Sequence, residues 1–190
     1  MEGNLAQAEA FGAKRLLGKA IRDIDSDISG TTGGSGYSKE RDAAVKSRLS
    51  ELAVEQGLTK EGAESMGLSD LRKFLAGRPG IDGAKLQRIE NTAIIDTAKK
   101  QIDDATMTSD EEDAARGRMI EAVKSSTAWN DSKKEEFIDR LNSGEDVGSV
   151  LKDFSSAGMK SKDAKELKKN VLGGKFTKRQ AELEKKRLDR

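Results

Sequence analysis

Histidine and cysteine are absent from this chain of 190 residues, and proline, tryptophan and tyrosine occur once each. Without imidazole there is no histidine general base, no Ser-His-Asp arrangement and no ordinary zinc site. Without a thiol there is no cysteine nucleophile, disulfide or iron-sulfur ligand. Any chemistry would fall to carboxylates, lysine, arginine, tyrosine or a hydroxyl. The missing cysteine does not fix a compartment, because disulfide-free proteins work on both sides of a membrane. Long apolar runs are missing as well. No stretch approaches the roughly 20 residues that span a bilayer, and the opening MEGNLAQAEAFGAKRLLGKAI lacks a basic start followed by an apolar block. The expectation is a protein with no membrane partner and no classical signal peptide, cytoplasmic by default, with a virion or secreted location as the alternative.

Large apolar side chains are scarce. Leu, Ile, Val and Phe together make up 37 of 190 residues, just under the one-fifth level that suggests disorder when net charge is also large. Net charge is only +1, from 35 basic and 34 acidic side chains, so the chain lies outside the high-charge disordered class. Alanine adds 21 small apolar positions. Such an alanine-rich, proline-poor and charge-rich composition favours thin helices packed closely. The predicted fold class is all-α, a multi-helix bundle or orthogonal array of short capped helices, as one elongated domain or two small ones.

Charge is balanced overall and segregated locally. Residues 101–155 carry 7 basic and 14 acidic side chains, and residues 156–190 carry 12 and 5. Neighbouring segments of net −7 and +7 can pair within the chain or join one copy to the next, and the sequence does not choose between these.

Helical periodicity recurs with start signals attached, and no stretch alternates long enough to read as a strand. Asn4 with Gln7 predicts a cap, followed by Ala10, Ala13, Leu17, Ile21, Ile24 and Ile28 at helical steps, an N-terminal helix over 1–28. A flexible Gly/Ser/Thr loop is expected over 29–37, then a helical subdomain over 38–104 opened by Ser38 with Val45, Leu49 and Leu52 on one face. Within it, short helices are expected at Thr59–Met66 and Ser69–Ala76, with a stop at Gly77-Arg78-Pro79-Gly80. A central, most buried helix over Asp82–Asp103 would carry Leu86, Ile89, Ala93, Ile94, Ile95, Ala98 and Ile102. An acidic helical subdomain over 105–172 shows capping-box spacing at Ser109/Glu112, Ser132/Glu135 and Ser143/Asp146, and a further start at Ser161. The basic C-terminal helix, 173–190, opens on Thr177/Gln180 with Phe176 and Ala181 as a staple. Its Ala181, Leu183 and Leu188 are too sparse for a core stripe, so it should be exposed, frayed or bound.

Several strings resemble chemical motifs and fail at the positions that carry the chemistry. Asp23-Ile-Asp25-Ser-Asp27 opens like a calcium loop, but Ile28 and Gly34 stand where the turn glycine and the closing glutamate are needed, which leaves a solvated acidic helix end. Gly12 to Lys19 has one residue too many for a phosphate loop, Ala20 in place of the magnesium-binding hydroxyl, and no preceding strand; Gly173-Gly174-Lys175 lacks the strand too. The stretch LSDLRKFLAGRPGIDGAKLQRIE, Leu68 to Glu90, resembles the SAP module at Leu68, Leu71, Arg72, Leu75, Gly83 and Lys85. That resemblance implies a short helix-loop-helix that binds DNA; it covers 23 residues, and Leu86 and Ile89 fall out of step with its pattern. Trp129, just before Ser132, reads as a core or staple residue rather than a ligand platform. A lysozyme-like pair of carboxylates would need a sugar-stacking cleft that Trp129 and Tyr37 alone do not build.

The strongest functional pointer is the basic strip Lys160, Lys162, Lys165, Lys168, Lys169, Lys175, Lys178, Arg179, Lys185, Lys186 and Arg187. It suits an acidic protein surface, or phosphates through counterion release; few aromatics interleave it, and Glu166, Glu182, Glu184 and Asp189 interrupt it. No catalytic, cofactor-binding or metal-ligating residue is assigned. The sequence reads as a non-catalytic helical protein for protein–protein interaction or assembly, a structural component, scaffold, adaptor or effector. Nucleic-acid binding through the basic segment is the alternative.

Overall fold

The structure, a computed structural model, describes residues 2–28 and 35–189 and is all-α. Ten helices are formed among the described residues: α1 (Glu2–Ile28), α2 (Ser35–Glu55), α3 (Lys60–Ser65), α4 (Leu68–Ala76), α5 (Gly83–Asp104), α6 (Ser109–Ser125), α7 (Asp131–Asn142), α8 (Val147–Ser156), α9 (Ser161–Leu172) and α10 (Lys178–Leu188). Most of the loop expected over 29–37 lies outside the described residues, and Ser35 to Tyr37 already belong to α2. The helices group into two compact units, one drawn from residues 2–26, 35–101 and 187–189, the other from residues 27–28 and 102–186.

In the first unit, Val45, Leu49 and Ala53 on one face of α2 pack with Ala63 of α3, Leu71 and Leu75 of α4, and Ile81 and Leu86. Small residues at Ala53 and Ala63, both fully buried, let these short helices approach closely. Thr59 starts α3 by accepting the Gly62 amide at 3.0 Å, and Gly57 turns the chain after α2 at φ 105°, which a side chain would resist. Asp82 accepts the Lys85 amide at 2.7 Å to begin α5. The expected burial of α5 holds at Leu86, Ala98 and Ile102, whereas Ile89, Ala93, Ile94 and Ile95 are only half-buried. The polar side chains Gln87, Glu90, Asn91 and Gln101 are buried instead. Each has a partner: Gln87 donates to Asn91, Arg72 to Glu90, and Gln101 to Glu40 and the Tyr37 carbonyl while accepting from Arg41. Burial of amides and a carboxylate is tolerated where each finds its partner, and apolar periodicity does not report it.

The second unit is built around rings. Phe137 and Phe154 meet at 4.8 Å edge to face, and Trp129 lies 4.9 and 4.7 Å from them. Met119, Val123, Leu141, Val147, Val150, Val171 and Leu172 close the core. The Trp129 Nε1–H donates to the Ala157 carbonyl at 3.0 Å, so the indole serves as a core lid with its one donor satisfied. Two arginines of α6 finish neighbouring helices: Arg116 donates to the Leu141 carbonyl in the last turn of α7 and to the Glu145 carbonyl just beyond it, and Arg118 to the Val171 carbonyl near the end of α9. Orphan carbonyls at helix C-termini are natural partners for a guanidinium.

Three expected caps move. Thr108, not Ser109, caps α6 in a full capping box with Glu111; Asn130, not Ser132, caps α7; and Asp146, not Ser143, caps α8. A cap needs extended backbone as well as a side-chain oxygen. Thr108 has φ −69° and ψ 167°, whereas Ser143 closes α7 in αR backbone, its amide bonded to Asp139 and Leu141 carbonyls. Asn4 lies inside α1 rather than ahead of it, and α2 begins before Ser38. The Thr177/Gln180 box forms as read, each side chain meeting the other's amide at 3.2 and 3.4 Å. The last helix departs from expectation: Phe176, Ala181 and Leu188 are buried and only Leu183 stays about half exposed. A bridge between Thr106 and Phe176 seats its start, with the Phe176 and Met107 amides each bonded across at 2.8 Å. No helix among the described residues is long and apolar enough to cross a membrane.

Candidate interaction surfaces

The three carboxylates that open like a calcium loop do not converge. Asp23 accepts from Arg187 at 2.6 Å, Asp25 from Arg41 at 2.6 and 2.9 Å, and Asp27 from Lys168 at 2.7 Å. Each takes its own cation, because α1 continues through all of them and turns successive side chains away from one another. No group of acidic side chains suited to a metal ion occurs among the described residues. Gly12 to Lys19 likewise lies within α1, in helix rather than in a loop. Glu90, the one acidic residue buried as a whole, is held by Arg72, with no second buried acid among the described residues.

The basic strip divides by partner. Lys168 pairs with Asp27, Lys175 with Glu111 at 2.7 Å, Lys185 with Asp103 at 2.9 Å and with Glu182, and Arg187 with Asp23. The Lys178 ammonium donates to Ser109 and its amide to Glu112. Part of the opposite charge in segments 101–155 and 156–190 is therefore matched within one chain. The hydrogen bond from Lys175, followed by that from the Thr108 amide, holds Glu111 below its ordinary value of 4.5. Arg140 does the same to Glu145 by hydrogen bond and by charge, and Arg179 adds a weaker attraction. Bonds to Asp103 and then Glu182 push Lys185 upward. The remaining lysines of the strip, Lys160, Lys162, Lys165, Lys169 and Lys186, are exposed and form no ion pair among the described residues. Lys162, Lys165 and Lys169 follow at three- and four-residue steps on α9, opposite buried Ala164 and Val171. They form one solvent-facing cationic stripe.

A second surface was not singled out in the sequence. In the N-terminal half of α1, Leu5, Phe11 and Leu16 are 65, 54 and 67% exposed, three of the five large apolar side chains exposed in the described residues. Lys14, Arg15, Lys19 and Arg22 stand exposed among them and form no ion pair among the described residues. Leu5 and Leu16 sit beside the buried stripe of Ala10, Leu17, Ile24 and Ile28 rather than within it. The signal was present, since α1 has more apolar residues than one stripe employs.

Two depressions lie in the first unit. A groove of about 640 Å³ runs between α2 and α3, lined by Ala43, Val54 and Ala63 together with Lys46, Lys60 and Glu64. A smaller cleft, of about 240 Å³, lies between α2 and α5. The stretch that resembles the SAP module forms α4 and the start of a 22-residue helix, so its second helix is far longer than a compact helix-loop-helix has. No protein-family model, no curated protein and no solved structure matches this chain.

Proposed function

We propose that this protein is a non-catalytic interaction or assembly protein, a scaffold, adaptor, effector or structural component that works through its surface. The observation that supports this reading is the exposed α1 face, where Leu5, Phe11 and Leu16 stand in water amid four exposed cations that form no ion pair among the described residues. Exposed apolar side chains grouped on one element mark a contact surface when they have no role in their own core. Their cationic setting favours a partner of acidic character.

The test is Leu5→Ser/Leu16→Ser in the full chain, followed by light scattering at low and moderate salt and by thermal melting. The expected outcome is an unchanged melting temperature together with loss of any oligomer and of hydrophobic-dye binding seen in the parent. A clear fall in melting temperature would show that these leucines serve the chain's own core, and the reading would fail.

The second reading, nucleic-acid binding, draws on the exposed stripe Lys162, Lys165 and Lys169, which forms no ion pair among the described residues. Fluorescence anisotropy with labelled single- and double-stranded oligonucleotides tests it. Binding through this stripe should weaken steeply with salt, and replacing all three lysines with glutamine should lower the logarithmic salt slope by about 2–3. No binding at low salt removes it.

A further inference from the structure

We propose that the cleft between α2 and α5 is a binding site for an anionic group carried on a small apolar body, as in an aryl phosphate or aryl carboxylate. Arg48 of α2 and Lys85 and Arg88 of α5 line it, above Ile89 and Ala93, with Asp96 at its other end. Lys85, Arg88, Thr92 and Asp96 follow at helical steps along one side of α5, so Lys85 and Asp96 are about 16 Å apart along the axis at ~1.5 Å per residue. The cleft is thus polarised, cationic toward the start of the helix and acidic toward Asp96.

The cations are available. Lys85 and Arg88 form no ion pair among the described residues, and the partner of Arg48 is Glu51, an exposed residue one turn along the same helix. An exposed pair of that kind gives way readily to a better-placed anion. The Thr92 hydroxyl donates to the Arg88 carbonyl at 2.9 Å, which leaves recognition of the anion to the three charged side chains. Ile89 and Ala93 are half-buried in the same cleft and offer an apolar floor beside the cations.

Size narrows the class. About 240 Å³ corresponds to roughly eight water molecules at ~30 Å³ each. That volume holds one ring with its charged group. Asp96 repels a second negative charge at the far end, so a ligand with one anionic pole fits and an elongated polyanion does not. This inference concerns a different surface from the α1 face and stands independently of it.

The experiment follows backbone amide shifts of the full chain during titration with phenyl phosphate at constant ionic strength. Inorganic phosphate and benzyl alcohol serve as its two separate halves. Expected are saturable shifts confined to the surroundings of Arg48 and to α5 from Lys85 to Asp96, with millimolar affinity and about tenfold weaker binding of either half. Arg88→Gln and Lys85→Gln should each weaken binding by about three- to tenfold, while Lys100→Gln, on the same helix outside the cleft, should not. The spectra themselves show whether each variant is folded. Shifts that do not saturate, equal affinity for phenyl phosphate and phosphate alone, or full-strength binding by folded Arg88→Gln would overturn the proposal.

Discussion

Replacing Phe154 with alanine should remove the keystone of the second unit. The ring is fully buried, packs edge to face on Phe137 at 4.8 Å and lies 4.7 Å from Trp129. A buried Phe→Ala change costs about 3–5 kcal/mol through lost transfer energy and the cavity left behind. Two ring pairs, each contributing about 0.5–1.5 kcal/mol beyond area, place this position in the upper half of that range. The cost should be about 4–5 kcal/mol. Trp129 is the only tryptophan and belongs to the same cluster, so its fluorescence reports unfolding of this unit by itself. That matters because two compact units need not unfold in one step, and helicity averages over both. With a urea slope of about 2 kcal/mol per molar, the fluorescence midpoint should fall by about 2 M. Phe154→Leu, which keeps most of the volume and loses the ring pairs, should cost about 2 kcal/mol. A fall below about 0.5 M for the alanine variant would refute the reasoning, since it would mean that the rings are not the cooperative core.

Two further outcomes follow from local geometry. Gly117 lies exposed inside α6, and a Cβ there meets nothing within 4 Å, so Gly117→Ala should stabilise the second unit by about 0.5–1 kcal/mol in the same fluorescence assay. Glu111 is held below 4.5 in the folded chain, so its contribution is complete above that value and is lost as pH falls through the lowered folded value. Acid should therefore loosen the start of α6. Lys175→Gln should return the Glu111 carboxyl toward 4.5 in a carbon-detected NMR titration, and an unchanged midpoint would count against the pairing.

Much of the helical architecture was legible because helix formation here is local. Gly57, the Gly77–Gly80 stop and Gly173 mark ends that backbone sterics alone enforce, and Gly173 does adopt φ 58°. The Thr177/Gln180 box and the start at Thr59 were legible for the same reason: donor and acceptor lie within one turn. Capping spacing by itself was insufficient at Ser109, Ser132 and Ser143, where a better-placed oxygen one to three residues away takes the role. Composition was equally informative about chemistry, since a chain without histidine or cysteine has no imidazole or thiol to place.

What the sequence by itself determined is therefore the all-helical class, most helix boundaries and the residue types open to any chemistry. Those follow from interactions among neighbours in the chain. Only the tertiary structure decided which charges are spent. Lys168, Lys175, Lys185 and Arg187 meet acids far away in sequence, whereas Lys162, Lys165 and Lys169, on the same basic strip, meet none among the described residues. It also decided that α10 is seated on buried Phe176, Ala181 and Leu188, and that Leu5, Phe11 and Leu16 remain outside. The physical reason is that ion pairing and burial depend on distance in space, and periodicity along a helix names a face without saying what lies opposite it.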